Sequence, residues 1–133
     1  MEFALNETQI MFKNTAQKFF KEKCTISNLK EMEESEGGHS PELYKHIAEL
    51  GFLGLIIPEE YGGVGGDLLD LALVVEEAGW SALSGPFFST ISYGILPLLQ
   101  YGTEEQKSEL LPKIASGEVI VTAAFSEAQA HYD

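Results

Sequence analysis

Arginine is absent from this 133-residue chain and lysine is sparse: eight lysines stand against 21 aspartates and glutamates, a formal charge of −13. Such a chain cannot neutralise a run of phosphates, which argues against nucleic acid as a partner. The same deficit argues against an anionic membrane surface. Cysteine occurs once, at Cys24, so an internal disulfide framework is excluded and a reducing compartment fits. No apolar run approaches the roughly 18 residues that a bilayer-spanning helix requires. The opening MEFALNETQI is acidic and lacks the basic flank of a secretory signal or the arginines of a mitochondrial leader. A cytoplasmic protein is expected. Internal repeats and low-complexity tracts are also missing.

Two kinds of site are disfavoured by spacing. His39, His46 and His131 are scattered, with no His-x-x-x-His pair and no Cys/His cluster, so a metal centre is not expected. Gly62, Gly63, Gly65 and Gly66 resemble a phosphate cradle only superficially, because no Lys-Ser/Thr follows and no strand–loop–helix pattern surrounds them. They predict a structural turn that brings two helices together.

What is present is the composition of a soluble globular domain, 44% hydrophobic and 22% charged. A chain of this length can bury roughly two-thirds of its unfolded surface. Asn6 and Gln9 have the spacing of a capping box, and Phe12, Ala16, Phe19 and Phe20 follow on one helical face, predicting an amphipathic helix to about Cys24. The acidic stretch from Thr25 to His39 reads as a loop, with at most a helical turn around Leu29 to Glu33. Ser40-Pro41-Glu42 starts a second helix, and Gly51 suits its left-handed stop. The apolar run 52–57 is too short for its period to separate an extended segment from part of a helix pair. Asp67 caps a third helix, Leu68 to Trp80, apolar nearly all round and therefore expected to be central. Glu76 and Glu77 interrupt it; one is expected to face solvent and the other to cap or form an ion pair, since adjacent helical carboxylates diverge by about 100°. Gly85-Pro86 opens a fourth helix that Pro97 should kink or shorten. Thr103 and Gln106 box the start of a fifth, ending at Gly117.

The last segment differs. Val119 to Phe125 is β-branched or apolar, a strand signature at the end of a helical chain with nothing to pair against. The fold class expected is all-α, with about five helices over 1–118 and a strand and loop over 119–133 that belong to a further β-domain.

In order, GFLGLIIPEEYGGVGGD (51–67), VEEAG (75–79), YGTEEQK (101–107) and LPKIASGE (111–118) resemble the N-terminal helical domain of the acyl-CoA dehydrogenase family. The resemblance covers essentially the whole chain, and four motifs in order at the right spacing carry it. It implies an oxidoreductase that removes two hydrogens from the α and β carbons of an acyl-CoA thioester, with FAD accepting hydride. It implies electron-transfer flavoprotein as acceptor and a homo- or hetero-oligomeric assembly. In most of the family the catalytic carboxylate lies in a C-terminal bundle, so no catalytic residue is assigned here. The resemblance places Ser89 and Tyr93 on the wall of the acyl pocket. It places Phe125 and Ser126 beside the flavin, and Tyr132 where a serine often touches both flavin and substrate. Ala128, Gln129 and His131 stand where the family has proline and glycines. These departures support the alternative of a non-catalytic helical subunit, or interaction module, within a heteromeric acyl-CoA dehydrogenase.

Overall fold

The computed structural model describes residues 4–125, and helices form almost all of its regular structure. Helix α1, Glu7–Lys23, begins at the predicted box: the Asn6 side chain accepts from the Gln9 N–H at 2.8 Å and the Gln9 side chain accepts from the Asn6 N–H at 3.0 Å. Two of the unpaired N–H groups of the first turn are thereby satisfied. Ala16 and Phe20 face inward and are fully buried.

The stretch after Cys24 corrects the sequence reading. It forms a helix, α2, Ile26–Glu34, with the Thr25 hydroxyl accepting from the Asn28 N–H. Leu29 and Met32, three apart, pack on the core, and this apolar pair holds an otherwise polar helix in place. Helix α3, Pro41–Glu49, follows the Ser40 cap and the N-terminal proline as expected, and Gly51 takes the left-handed conformation at φ 79°.

The run 52–57 is neither strand nor helix but a chain of turns, and Phe52, Leu53, Leu55 and Ile57 are buried within it. The glycine-rich loop explains how such a segment can be buried. The N–H groups of Val64, Gly65 and Gly66 donate to the carbonyls of Gly54, Ile57 and Leu55 at 2.9, 2.9 and 2.7 Å. The loop is a clasp that satisfies the polar backbone of the apolar turns. A side chain at Gly63 would collide with the Ile57 carbonyl, so the close approach demands glycine there. A short 3-10 turn, Glu59–Tyr61, sits between the two halves of the clasp.

Helix α4, Leu68–Trp80, starts at a capping box in which Asp67 and Asp70 exchange bonds of 2.9 Å. It packs along α1. One side is buried through Leu71, Val74 and Ala78, whereas Leu68, Leu69 and Trp80 are exposed, Trp80 at 81%. The helix is thus core on one face and apolar surface on the other.

Helix α5 spans 87–101 in three parts: Phe87–Ser89, a wider π-helical stretch Thr90–Ile95, and Leu96–Tyr101. Helix α6, Glu104–Ala115, begins at the Thr103–Gln106 box and is followed by Gly117 at φ 74°. The core lies between these elements. Phe20 stands with its ring centroid 6.1 Å from both Phe52 and Phe87, joining α1, the buried turns and α5. Residues 119–125 form no ladder, and the described residues hold no strand for them to pair with.

Candidate functional site

The site is best built from Pro97. Proline has no N–H to give the carbonyl four residues back, and its ring would collide with that carbonyl, here Tyr93. The helix does not break. It widens by a residue, and the Leu96 N–H reaches back five positions to the Ile91 carbonyl. The wide turn carries Thr90, Ile91 and Ile95 into the core, and Tyr93 stays 43% exposed.

The backbone after α6 crosses this turn. Gly94 is buried, and a Cβ on it would lie 2.9 Å from the Val121 carbonyl oxygen and 3.1 Å from the Val121 Cβ. Only a glycine lets the two backbones meet so closely. A few residues on, the Phe125 ring meets Tyr93 edge-to-face, with centroids 5.1 Å apart and planes at 78°. This is the geometry that aromatic quadrupoles favour. Both rings are open to the surface, Phe125 at 69% exposure.

Two of the predicted site residues, Tyr93 and Phe125, are therefore brought together. Ser89 is differently engaged: its hydroxyl donates to the Pro86 carbonyl at 3.1 Å and closes the first turn of α5. Ser126 and Tyr132 lie outside the described residues. Sequence reasoning missed Thr90 and Tyr44. Thr90 is fully buried and its Oγ1 accepts from the Tyr44 hydroxyl at 3.4 Å. Burial pushes the Tyr44 phenol above its ordinary value, and the bond to Thr90 offsets part of that rise.

Beside the start of α5 is an apolar recess of about 170 Å³ lined by Val75, Ala78, Gly79, Leu83, Phe87 and Phe88. A separate polar hollow of about 390 Å³, lined by residues such as Lys23, Glu31, His39 and His46, lies between α2 and α3 and contains none of the predicted site residues. Among the described residues no group of three or more His, Cys, Asp or Glu is placed to hold a metal ion. Nor is any helix there long and apolar enough to cross a membrane.

The two adjacent acids of α4 both reach Lys13 of α1. Glu76 is half-exposed and accepts at 2.9 Å; Glu77, only 5% exposed, lies 3.8 Å from the same ammonium. The hydrogen bond that Lys13 donates to Glu76, and the charge of that carboxylate, raise the Lys13 pKa above the ordinary value. These carboxylates are thus committed to holding α1 against α4. Cys24 is half-buried, and burial raises its thiol pKa, which disfavours the reactive thiolate.

The family described as "Acyl-CoA dehydrogenase, N-terminal domain" matches residues 6–118. The chain belongs to the acyl-CoA dehydrogenase family. It is 36% identical over 135 residues to the "Probable acyl-CoA dehydrogenase YngJ" of Bacillus subtilis, covering 100% of this chain and 35% of that protein. It is 36% identical over 124 residues to the "Long-chain specific acyl-CoA dehydrogenase, mitochondrial" of Rattus norvegicus, covering 92% of this chain and 28% of that protein. Among solved structures, an acyl-CoA dehydrogenase complexed with FAD from Bacillus anthracis superposes with a TM-score of 0.73 at 33% identity, over 86% of this chain and 20% of that one. The chain thus spans about a third or less of the length of the curated relatives it matches.

Proposed function

We propose that this acyl-CoA dehydrogenase chain is the helical part of a FAD-dependent enzyme that α,β-dehydrogenates an acyl-CoA thioester, and that it supplies one wall of the acyl pocket and one edge of the flavin site. The observation that carries this reading is the meeting of Tyr93 with Phe125. A residue expected at the acyl wall and a residue expected at the flavin edge are 32 positions apart in sequence, yet their rings are in contact.

The residues present fit a flavin edge. The backbone N–H and C=O groups of 120–125 make no hydrogen bonds among the described residues, so they are available to the donors and acceptors of a flavin pyrimidine. Phe125 would offer backbone and ring, with Ser126 and Tyr132 next in the chain. FAD, when bound, supplies the hydride acceptor. Tyr93 packs the apolar end of the substrate and excludes water from it. Ser89, whose hydroxyl is already bonded to Pro86, shapes the wall rather than recognising a polar group. Glu76 and Glu77 are held by Lys13, so neither is assigned removal of the α-proton. Electron-transfer flavoprotein as acceptor and an oligomeric assembly complete the reading.

The test uses the complete product of the gene that encodes this chain. Purified protein should carry FAD, and anaerobic addition of an acyl-CoA should bleach the flavin absorbance near the visible maximum. Bound flavin that no acyl-CoA bleaches would remove the dehydrogenase reading. Absence of flavin would favour the non-catalytic subunit.

A further inference from the structure

We infer that Pro97 and Gly94 are positioning residues for substrate selection: together they hold the Tyr93–Phe125 ring pair as the wall that the acyl chain meets just past the flavin edge. The inference rests on the acyl-pocket reading above. It adds to it two residues that need not touch substrate at all.

Three contacts link Pro97 to the ring pair. Pro97 denies the Tyr93 carbonyl its α-helical donor, and the chain responds with the π-helical stretch Thr90–Ile95, closed by the Leu96 N–H on the Ile91 carbonyl. Wide turns of this kind inside α-helices recur at functional sites, because they displace a few side chains without ending the helix. The displaced residues here include Tyr93 and Gly94. Gly94 then admits Val121, whose carbonyl oxygen sits 2.9 Å from where a Cβ would be. The register of Val121 on Gly94 fixes where Phe125 falls four residues later, and it falls against Tyr93. An α-helical turn would carry Tyr93 to a different angle and close the groove under Val121. A wall made of two rings, each seated by a different backbone device, sets pocket depth more sharply than one flexible side chain. One methylene more or less in an apolar pocket changes kcat/KM by roughly 10–200-fold.

Pro97→Ala tests this without threatening the fold, since alanine restores the missing donor and is a good helix former. Two readouts are taken. In the 133-residue chain, nuclear Overhauser contacts between the Tyr93 and Phe125 rings should be lost. In the flavin-loaded gene product, the ratio of kcat/KM between long and short straight-chain acyl-CoAs should shift by at least about tenfold, and Tyr93→Ala should shift it in the same direction. Gly94→Ala, which expels Val121, should repeat both effects. Ring contacts that survive in Pro97→Ala overturn the positioning role. Lost contacts with an unchanged ratio, or an equal fall for every chain length, overturn the selective role. A wild-type protein that turns over no acyl-CoA fails differently: it removes the acyl-pocket reading and the wall's role with it.

Discussion

Replacing Phe20 with alanine should be among the most destabilising single changes in this chain. Phe20 is fully buried and meets three other rings, Phe19 beside it on α1, Phe52 in the buried turns and Phe87 at the start of α5. Truncation loses the transfer free energy of the ring and leaves a cavity that these neighbours cannot all collapse into. Phenylalanine-to-alanine changes at such sites cost about 3–5 kcal/mol. Against a total stability of about 5–15 kcal/mol, that is a large fraction. For a domain of this size, Tm should fall by about 12–20 °C, taking about 4 °C per kcal/mol. Urea unfolding followed by far-UV circular dichroism gives the same quantity as a midpoint shift of about 2 M for a slope near 2 kcal/mol/M. Trp80→Ala is the comparison, because Trp80 is apolar but exposed on α4; it should change stability by no more than about 0.5 kcal/mol. A loss below about 1 kcal/mol for Phe20→Ala, or a larger loss for Trp80→Ala, would refute the placement of the core.

Further outcomes follow from the clasp. Gly63→Ala should cost about 1–3 kcal/mol or more, because its methyl would meet the Ile57 carbonyl and displace the bonds that cover the apolar turns; chemical denaturation measures it, and near-neutrality would contradict the clasp. Tyr61 ties the clasp to α6 by donating to the Glu104 carboxylate at 2.7 Å, which Lys107 also engages at 3.2 Å. That bond pushes the Tyr61 phenol up from 10.0 to about 12, and the same bond, before Lys107, lowers the Glu104 pKa. The raised phenol contributes stability that is fully present below about pH 10 and lost as pH rises through about 12. The depressed carboxylate contributes stability that is present above the ordinary 4.5 and lost as pH falls through its lower folded value. Spectrophotometric titration of the phenols should therefore show a late-ionising tyrosine that Tyr61→Phe removes; an unchanged titration curve in that variant would contradict the bond.

The helix starts were legible because capping is local chemistry. Asn6 with Gln9 and Thr103 with Gln106 act across three residues, and the structure shows both boxes. Gly51 and Gly117 were legible for the same reason, each supplying a positive φ that the chain needs at a helix end. Helix α2 was not, because its polar and charged residues outnumber its apolar ones; the Thr25 cap with Leu29 and Met32 three apart was the signal available. The run 52–57 could not be resolved by period, since its conformation is set by bonds from the glycine loop up to 11 residues away. At the site, Pro97 announced a disturbance of α5 but not its form, because proline can end, kink or widen a helix. The Tyr93–Phe125 and Tyr44–Thr90 pairs join residues 32 and 46 positions apart, and nothing in local pattern encodes such meetings. Ser89 shares a helix with Tyr93, but only the structure shows its hydroxyl turned to Pro86.

The measurement that bears most directly on the central claim is a crystal structure of the complete gene product with a non-reactive acyl-CoA thioether. The predicted result is acyl-chain carbons within about 4 Å of the Tyr93 ring, with the Phe125 ring against Tyr93 and the flavin in direct contact with the reacting carbons. An acyl chain bound elsewhere, with Tyr93 and Phe125 touching only protein, would contradict it.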